Sequence, residues 1–262
     1  MTPRDRAPSP TAASGASRPG GLAVSDALVR SLRAELAARA DPERAPAMQR
    51  YMKSDLPFLG VPSPAVAVAV RTSLARHPIA DADDLQRTVR VLFEQATHRE
   101  EWYAALGLLR RPSLTRLLPP QSVELIAWLT VRGAWWDVTD SAAKPLGSLL
   151  ATHRARVEPV IRSWIDGDEL WLRRLAIICQ LGRRGDTDLA LLTDAIEGAQ
   201  DEREFFLRKA IGWALRQHSK TDEPWVRQFL ADHPRLSTLS RREALAWLAR
   251  RPHGSGQGPV SA

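Results

Sequence analysis

Cysteine is almost missing from this sequence. Among 262 residues the only cysteine is Cys179, which lies in the apolar run 175–181. A single cysteine excludes an intramolecular disulfide and any metal site built from several cysteines. We therefore expect Cys179 to be a small buried residue of the core.

Several other signals are also lacking. The six histidines are scattered, and none has the spacing of a metal-ligand motif, which argues against a metal-dependent nuclease. We expect no metal and no cofactor. No apolar run reaches the length of a membrane span, and the amino terminus lacks an apolar signal-peptide core. The sequence thus predicts a cytoplasmic protein, associated with the nucleoid if it binds DNA.

The sequence has more basic than acidic residues. The formal net charge is +7, from 37 basic and 30 acidic residues. Such an excess favours an anionic partner, most often nucleic acid. Only four of the basic residues are lysines, and an abundance of arginine can also reflect genomic base composition. Charge alone therefore does not identify the partner.

No segment shows the alternating pattern of a strand, so we predict an all-α fold. Proline-rich or glycine-rich tails at 1–20 and 252–262 are expected to be disordered, which leaves one helical domain over 21–251. Roughly a dozen helices with short links favour stacked antiparallel pairs. We predict a HEAT-like solenoid with a concave DNA-binding face, with a globular helical bundle as the alternative.

The helix starts follow from capping patterns. Asp41-Pro42 resembles an N-cap followed by proline at the first helical position. Thr97 with Glu100, and Ser240 with Glu243, have the spacing of capping boxes. The other expected starts lie near Pro64, Asp81, Gln121, Trp135, Val157, Glu169, Thr187, Glu202 and Pro224.

The segment 132–140 holds two adjacent tryptophans and two carboxylates at the start of an expected helix. Trp136 and Asp140 are four residues apart and share one helix face. An acid beside an indole suits a site that faces a cationic group. In the alternative interpretation, both acids serve the helix dipole and the tryptophans belong to the core. We expect the first acid, Asp137, to have that dipole role.

The segment 202–220 predicts a helix with two different faces. Leu207, Ala210, Ile211, Ala214 and Leu215 form an apolar stripe, with Phe206 at its border. The opposite face carries a cationic row around one indole, namely Lys209, Trp213, Arg216 and Lys220. Such a row is typical of a phosphate-contacting surface, although a solvated face is the alternative.

Arg174 lies among apolar neighbours on the expected central helix 169–181. An arginine in that position needs an anion. The anion is either a phosphate or a carboxylate of the fold, and Asp140 is one candidate for the carboxylate.

Several motifs together resemble the AlkD family of HEAT-like-repeat DNA glycosylases, from about residue 22 to residue 250. They are Tyr51-Met52-Lys53, Phe58-Leu59-Gly60, Trp135-Trp136-Asp137-Val138-Thr139-Asp140, Trp171-Leu172-Arg173-Arg174, the segment 204–216 with its Ile211-Gly212-Trp213, and Leu239-Ser240-Arg241-Arg242-Glu243-Ala244. The segment 140–147 is one residue shorter than the family pattern, which leaves the role of Lys144 open.

The resemblance implies a function and a set of site residues. The family removes alkylated purines from duplex DNA by hydrolysing the N-glycosidic bond, with the lesion left stacked in the helix. The implied catalytic residues are Asp140, Trp136, Arg174 and Trp213. The implied DNA-binding residues are Tyr51, Lys53, Trp135, Arg173, Lys209, Arg216 and Lys220.

The implied partner is double-stranded DNA with cationic N3- or N7-alkylated purines, bound by a monomer in base excision repair. The alternative is a helical-repeat scaffold that binds DNA or protein without catalysis. Asp140 discriminates between them, because a pure DNA binder gains nothing from a carboxylate directed at phosphates.

Overall fold

The computed structural model describes residues 19–250, and every regular element in that range is helical. The predicted all-α class is confirmed. The fourteen α-helices are α1 (Pro19–Ala37), α2 (Ala45–Met52), α3 (Ser63–Arg76), α4 (Ala82–Glu94), α5 (Arg99–Leu109), α6 (Pro112–Thr115), α7 (Ser122–Gly133), α8 (Trp136–Thr152), α9 (Arg154–Ile165), α10 (Leu170–Ile178), α11 (Leu189–Glu197), α12 (Phe205–His218), α13 (Glu223–Asp232) and α14 (Thr238–Leu245).

The two predicted tails lie outside the described residues, except for Pro19 and Gly20, which belong to α1 rather than to a tail. Within the described range, no helix is both long and apolar enough to cross a membrane.

The helices stack in two layers. In layer B, each of α3, α5, α8, α10, α12 and α14 contacts the next. Layer A covers it, with α1, α4 and α7 in contact in that order and α9 against α11. Each layer A helix packs on one or more layer B helices, so the repeating unit is a helix pair, as the sequence predicted. The repeats bury a continuous core from Leu28 to Ala244.

Most predicted helix starts are correct to within a few residues. Asp81 caps α4 by accepting a hydrogen bond from the backbone N–H of Asp84 at 2.9 Å. Glu169 caps α10 in the same way through Trp171. The expected core residue Cys179 is buried, and burial raises the pKa of its thiol to about 12.

Three capping predictions are wrong. Asp41 does not cap α2, because residues 41–44 form a turn and the helix begins at Ala45. At α5 the acidic residue of the capping box is Glu101 and not Glu100. Its carboxylate accepts from the backbone N–H of Thr97 at 2.8 Å. At α14 the cap is Ser237, which accepts from the N–H of Ser240 at 3.1 Å.

Glu100, the residue displaced from the predicted capping box, instead holds a loop. Its buried carboxylate accepts from the backbone N–H groups of Leu59, Gly60 and Val61 at 2.9–3.1 Å. Gly60 has φ +83°, and a Cβ there would lie 2.1 Å from the carbonyl oxygen of Asp41. The loop that carries Phe58 is therefore fixed between α2 and α5.

Candidate active site

Asp140 and Arg174 form the central pair of the site. Asp140 lies in the second turn of α8, and Arg174 lies in α10, the next helix of layer B. The Arg174 guanidinium donates from Nε to Oδ1 of Asp140 at 2.9 Å and from Nη2 to Oδ2 at 3.0 Å. Its Nη1 donates to the carbonyl oxygen of Phe206 at 2.6 Å. Of the two anions expected for Arg174, a phosphate or a carboxylate of the fold, the structure contains the carboxylate of Asp140.

The two members of this pair differ in exposure. The Arg174 side chain is 6% exposed and that of Asp140 is 20% exposed. A carboxylate has about four lone-pair positions, and a bidentate arginine occupies two of them. Asp140 therefore keeps acceptor capacity on the side that faces solvent.

The net effect of the surroundings is to raise the pKa of Asp140. Burial is the largest cause, because it disfavours the charged form, and the nearby charge of Asp137 raises the pKa further. Arg174 opposes both effects through its charge and its hydrogen bonds. Without Arg174 the pKa of Asp140 would be higher still, so Arg174 favours the ionised form of the carboxylate.

A cavity of about 400 Å³ opens beside Asp140. Trp136 and Tyr51 line it together, with ring centroids 6.4 Å apart at an interplanar angle of 85°. Tyr51 is 73% exposed, whereas Met52 and Phe58 form part of a buried apolar wall. The predicted face that joins Trp136 to Asp140 therefore exists, and Tyr51 lies on the same cavity.

Asp137 lies in the first turn of α8, as expected for an acid that interacts with the helix dipole, but it also has buried side-chain partners. Its buried carboxylate accepts from Nη2 of Arg99 at 2.9 and 3.2 Å and from the hydroxyl of Tyr103 at 2.7 Å. Burial and the charge of Asp137 raise the pKa of Tyr103 well above its ordinary range. Asp137 is thus a structural anchor between α8 and α5. Neither Arg99 nor Tyr103 was singled out from the sequence, because their partner is 34 or more residues away.

A cluster of three aromatic side chains lies next to the Asp140–Arg174 pair. Trp135, Trp171 and Phe206 pack with ring centroids 5.0–5.8 Å apart. The Arg174 guanidinium carbon lies 6.0 Å from the centroid of the Phe206 ring. Trp135, expected to contact DNA, is half-buried within this cluster, and its indole N–H has no hydrogen-bond partner among residues 19–250.

The predicted cationic row on α12 is partly neutralised. Lys209 and Arg216 each form a 2.8 Å ion pair with one oxygen of Glu243 on α14. The hydrogen bond from Lys209 is the largest cause that lowers the pKa of Glu243, and the charges of Lys209 and Arg216 lower it further against the opposing effect of burial. The apolar stripe on the opposite face of α12 is buried as predicted. Trp213 is half-buried against the core.

The other predicted DNA-binding residues lie away from the pair. Arg173 is paired with Glu202 at 2.8 Å. Lys53 is exposed at the end of α2, in a left-handed conformation with φ 49°. Lys220 is exposed just after α12 and lines a separate cavity with His218. In the described residues, no group of three or more His, Cys, Asp or Glu side chains could hold a metal ion.

The fold and the site define a helical-repeat protein with a paired carboxylate beside an aromatic-lined cavity. The chain belongs to the DNA alkylation repair enzyme family, whose model matches residues 32–248.

A solved structure supports this membership. It is described as a predicted DNA alkylation repair enzyme from Enterococcus faecalis and is 31% identical to this chain. The match covers 81% of this chain and 98% of that one, with a TM-score of 0.72. A search of curated proteins finds no match.

Proposed function

We propose that this protein is a DNA glycosylase that removes cationic N3- or N7-alkylated purines from duplex DNA. The observation that carries the proposal is the Asp140 carboxylate, held by Arg174 and facing a cavity shared with Trp136 and Tyr51. Family membership supports a role in DNA alkylation repair.

The reaction suits a cavity in which Asp140 is the carboxylate with free acceptor positions, since Asp137 is occupied by Arg99 and Tyr103. An alkylated purine is already cationic, so it leaves with the bonding electron pair as a neutral base. Positive charge develops on the deoxyribose, and Asp140 stabilises that charge. Water then adds to C1′ and passes its proton to Asp140 or to solvent. The products are the free alkylpurine and an abasic site.

The aromatic residues have a related role in this proposal. The faces of Trp136 and Tyr51 attract the cationic sugar, since an indole or phenol ring has a negative face. Trp213 of α12 does not line this cavity, and we propose it as a further aromatic residue of the catalytic set. Tyr51, Lys53, Trp135 and Arg173, together with the α12 residues Lys209, Arg216 and Lys220, are the proposed contacts to DNA.

We further propose that the lesion stays stacked rather than entering a base-reading pocket. Base readout needs polar groups free to bind base edges. In the 400 Å³ cavity, Tyr103 and Asp137 are hydrogen-bonded to each other. Apart from Asp140, Arg110 and two serines, the remaining wall is apolar or aromatic. The cavity thus fits a sugar face and alkyl groups better than a base edge.

The direct test is release of modified base. The protein is incubated with duplexes that each contain one alkylated purine, and free base and abasic sites are measured separately. We expect both products in equal amounts from N3-alkyladenine and N7-alkylguanine duplexes. Tight binding without either product would instead support the scaffold alternative.

A further inference from the structure

A second cavity, of about 300 Å³, lies beside the Asp140 cavity. Arg110 lines both cavities, so they are neighbours. The second cavity is also lined by Arg116, which follows α6, and by Lys144 of α8. Its lining includes no carboxylate.

These three cations have no counterion within the described part of the chain. Arg110, Arg116 and Lys144 are all exposed and take part in no ion pair there. By contrast, Arg99, Arg174, Lys209 and Arg216 each have a carboxylate partner. Three like charges around one concavity repel each other unless an anion joins them.

Helix geometry places this cluster close to the reacting position. Lys144 follows Asp140 by four residues on α8, so both side chains share one face about 6 Å apart along the axis. Successive phosphates of one strand are about 3.4 Å apart along the duplex axis. A phosphate at Lys144 would therefore lie within about two nucleotides of a sugar at Asp140.

We propose that Arg110, Arg116 and Lys144 bind a backbone phosphodiester of the lesion-containing strand. This inference rests on the proposed function for the position of the sugar. It assigns a role to Lys144. It also places part of the phosphate contact at the carboxyl-terminal end of α5 and in the middle of α8, because Lys209 and Arg216 on α12 are paired with Glu243.

The first experiment measures binding to undamaged duplex, which does not depend on base release. The variant Arg116→Gln/Lys144→Gln is compared with Arg30→Gln/Arg156→Gln, which removes two exposed, unpaired arginines from layer A. We expect the first variant to reduce the slope of log Kd against log salt by about 1, because one phosphate contact is lost, and to weaken affinity roughly tenfold. The control should resemble the wild type. Equal behaviour of the two double variants would overturn the proposal.

The second experiment identifies the phosphate. A neutral methylphosphonate is placed at each of the two positions on either side of the lesion, in turn. At one position it should weaken wild-type binding but add no further loss in Arg116→Gln/Lys144→Gln, because the contact is already gone. Additive losses at every position would exclude a direct contact.

The third arm distinguishes a free phosphate from a strand phosphate. Inorganic phosphate and a nucleoside 5′-monophosphate are titrated at constant ionic strength. We expect no saturable binding of either below millimolar concentration. Tight monophosphate binding that the double variant abolishes, with an unchanged duplex salt slope, would assign the cavity to a free phosphate and overturn the proposal. If the protein binds duplex through this cluster but releases no base, only the proposed function fails.

Discussion

Arg174 shows how one side chain can have both a structural and a chemical role. It binds both oxygens of Asp140 and the carbonyl of Phe206. It also opposes the burial that raises the pKa of Asp140. In the proposed mechanism, the ionised form of Asp140 is therefore favoured by an arginine that need not touch the substrate.

Replacing Arg174 should therefore change both stability and pH dependence. Arg174→Ala leaves Asp140 without its partner and should lower the free energy of unfolding by roughly 2–4 kcal/mol. The pKa of Asp140 should rise, so the acid limb of excision should move to higher pH, because the active form is ionised. Chemical denaturation and a pH–rate profile measure the two effects.

Arg235→Ala is the matched control, because both side chains of its ion pair with Asp201 are exposed and neither residue belongs to the proposed site. Its loss should cost about 0–1 kcal/mol. An unchanged acid limb in Arg174→Ala would contradict the role assigned to this arginine.

Asp137 gives a second prediction at this scale. Asp137→Asn leaves the buried Arg99 uncompensated and should destabilise the protein by about 3 kcal/mol. It also removes a charge that raises the pKa of Asp140, so the acid limb should move to lower pH. The exposed control Asp55→Asn should change neither quantity. A fully stable Asp137→Asn protein would leave only the helix-dipole interpretation.

At the scale of elements, the site depends on how closely layer B helices approach each other. A Cβ at Gly212 of α12 would lie 2.4 Å from Cβ of Glu243 and 2.8 Å from the carbonyl oxygen of Ser240, both on α14. This close contact places Glu243 against Lys209 and Arg216. The sequence suggested a cationic row there because helical periodicity describes one helix and not the neighbour that packs on it.

Gly212→Ala should consequently displace α14. We expect a loss of about 1–3 kcal/mol in unfolding free energy, the usual cost of overpacking. Gly185→Ala is the control, since its added methyl group meets no atom within 4 Å. Thermal melts of the two variants suffice, and equal melting temperatures would refute the close-packing argument.

Helical periodicity describes a single helix, and this limit explains which features could be predicted from the sequence and which could not. Helix starts and the buried α12 stripe follow from local patterns, and the structure agrees with them. The Arg99–Asp137 pair joins residues 38 apart, and the Lys209–Glu243 pair joins residues 34 apart. No local rule predicts such contacts, so the proposed site residues were found but several of their partners were not.

At the scale of the whole molecule, the net charge of +7 does not show which cations are paired with carboxylates and which are not. Arg173 and Arg174 on α10 and Lys209 and Arg216 on α12 have carboxylate partners. Arg110, Arg116 and Lys144 have none among the described residues. An abundance of basic residues is thus weaker evidence for a DNA surface than a set of cations without carboxylate partners.

Glu243 allows the effect of this pairing to be tested. Glu243→Gln frees Lys209 and Arg216 and should strengthen binding to undamaged duplex and steepen its salt dependence if these cations face DNA. Glu94→Gln, which removes one exposed negative charge at the end of α4, controls for a general effect of net charge. Unchanged affinity would mean that the α12 row does not contact DNA.

The most direct measurement of the central proposal is the excision rate of Asp140→Asn on a duplex with N7-alkylguanine, under single-turnover conditions. The substitution keeps the shape and removes the negative charge that would stabilise the sugar cation. We predict a rate at least about 100-fold below the wild type, with duplex binding unchanged or tighter. An Asp140→Asn protein that excises at the wild-type rate would contradict the assignment of Asp140 as the catalytic carboxylate.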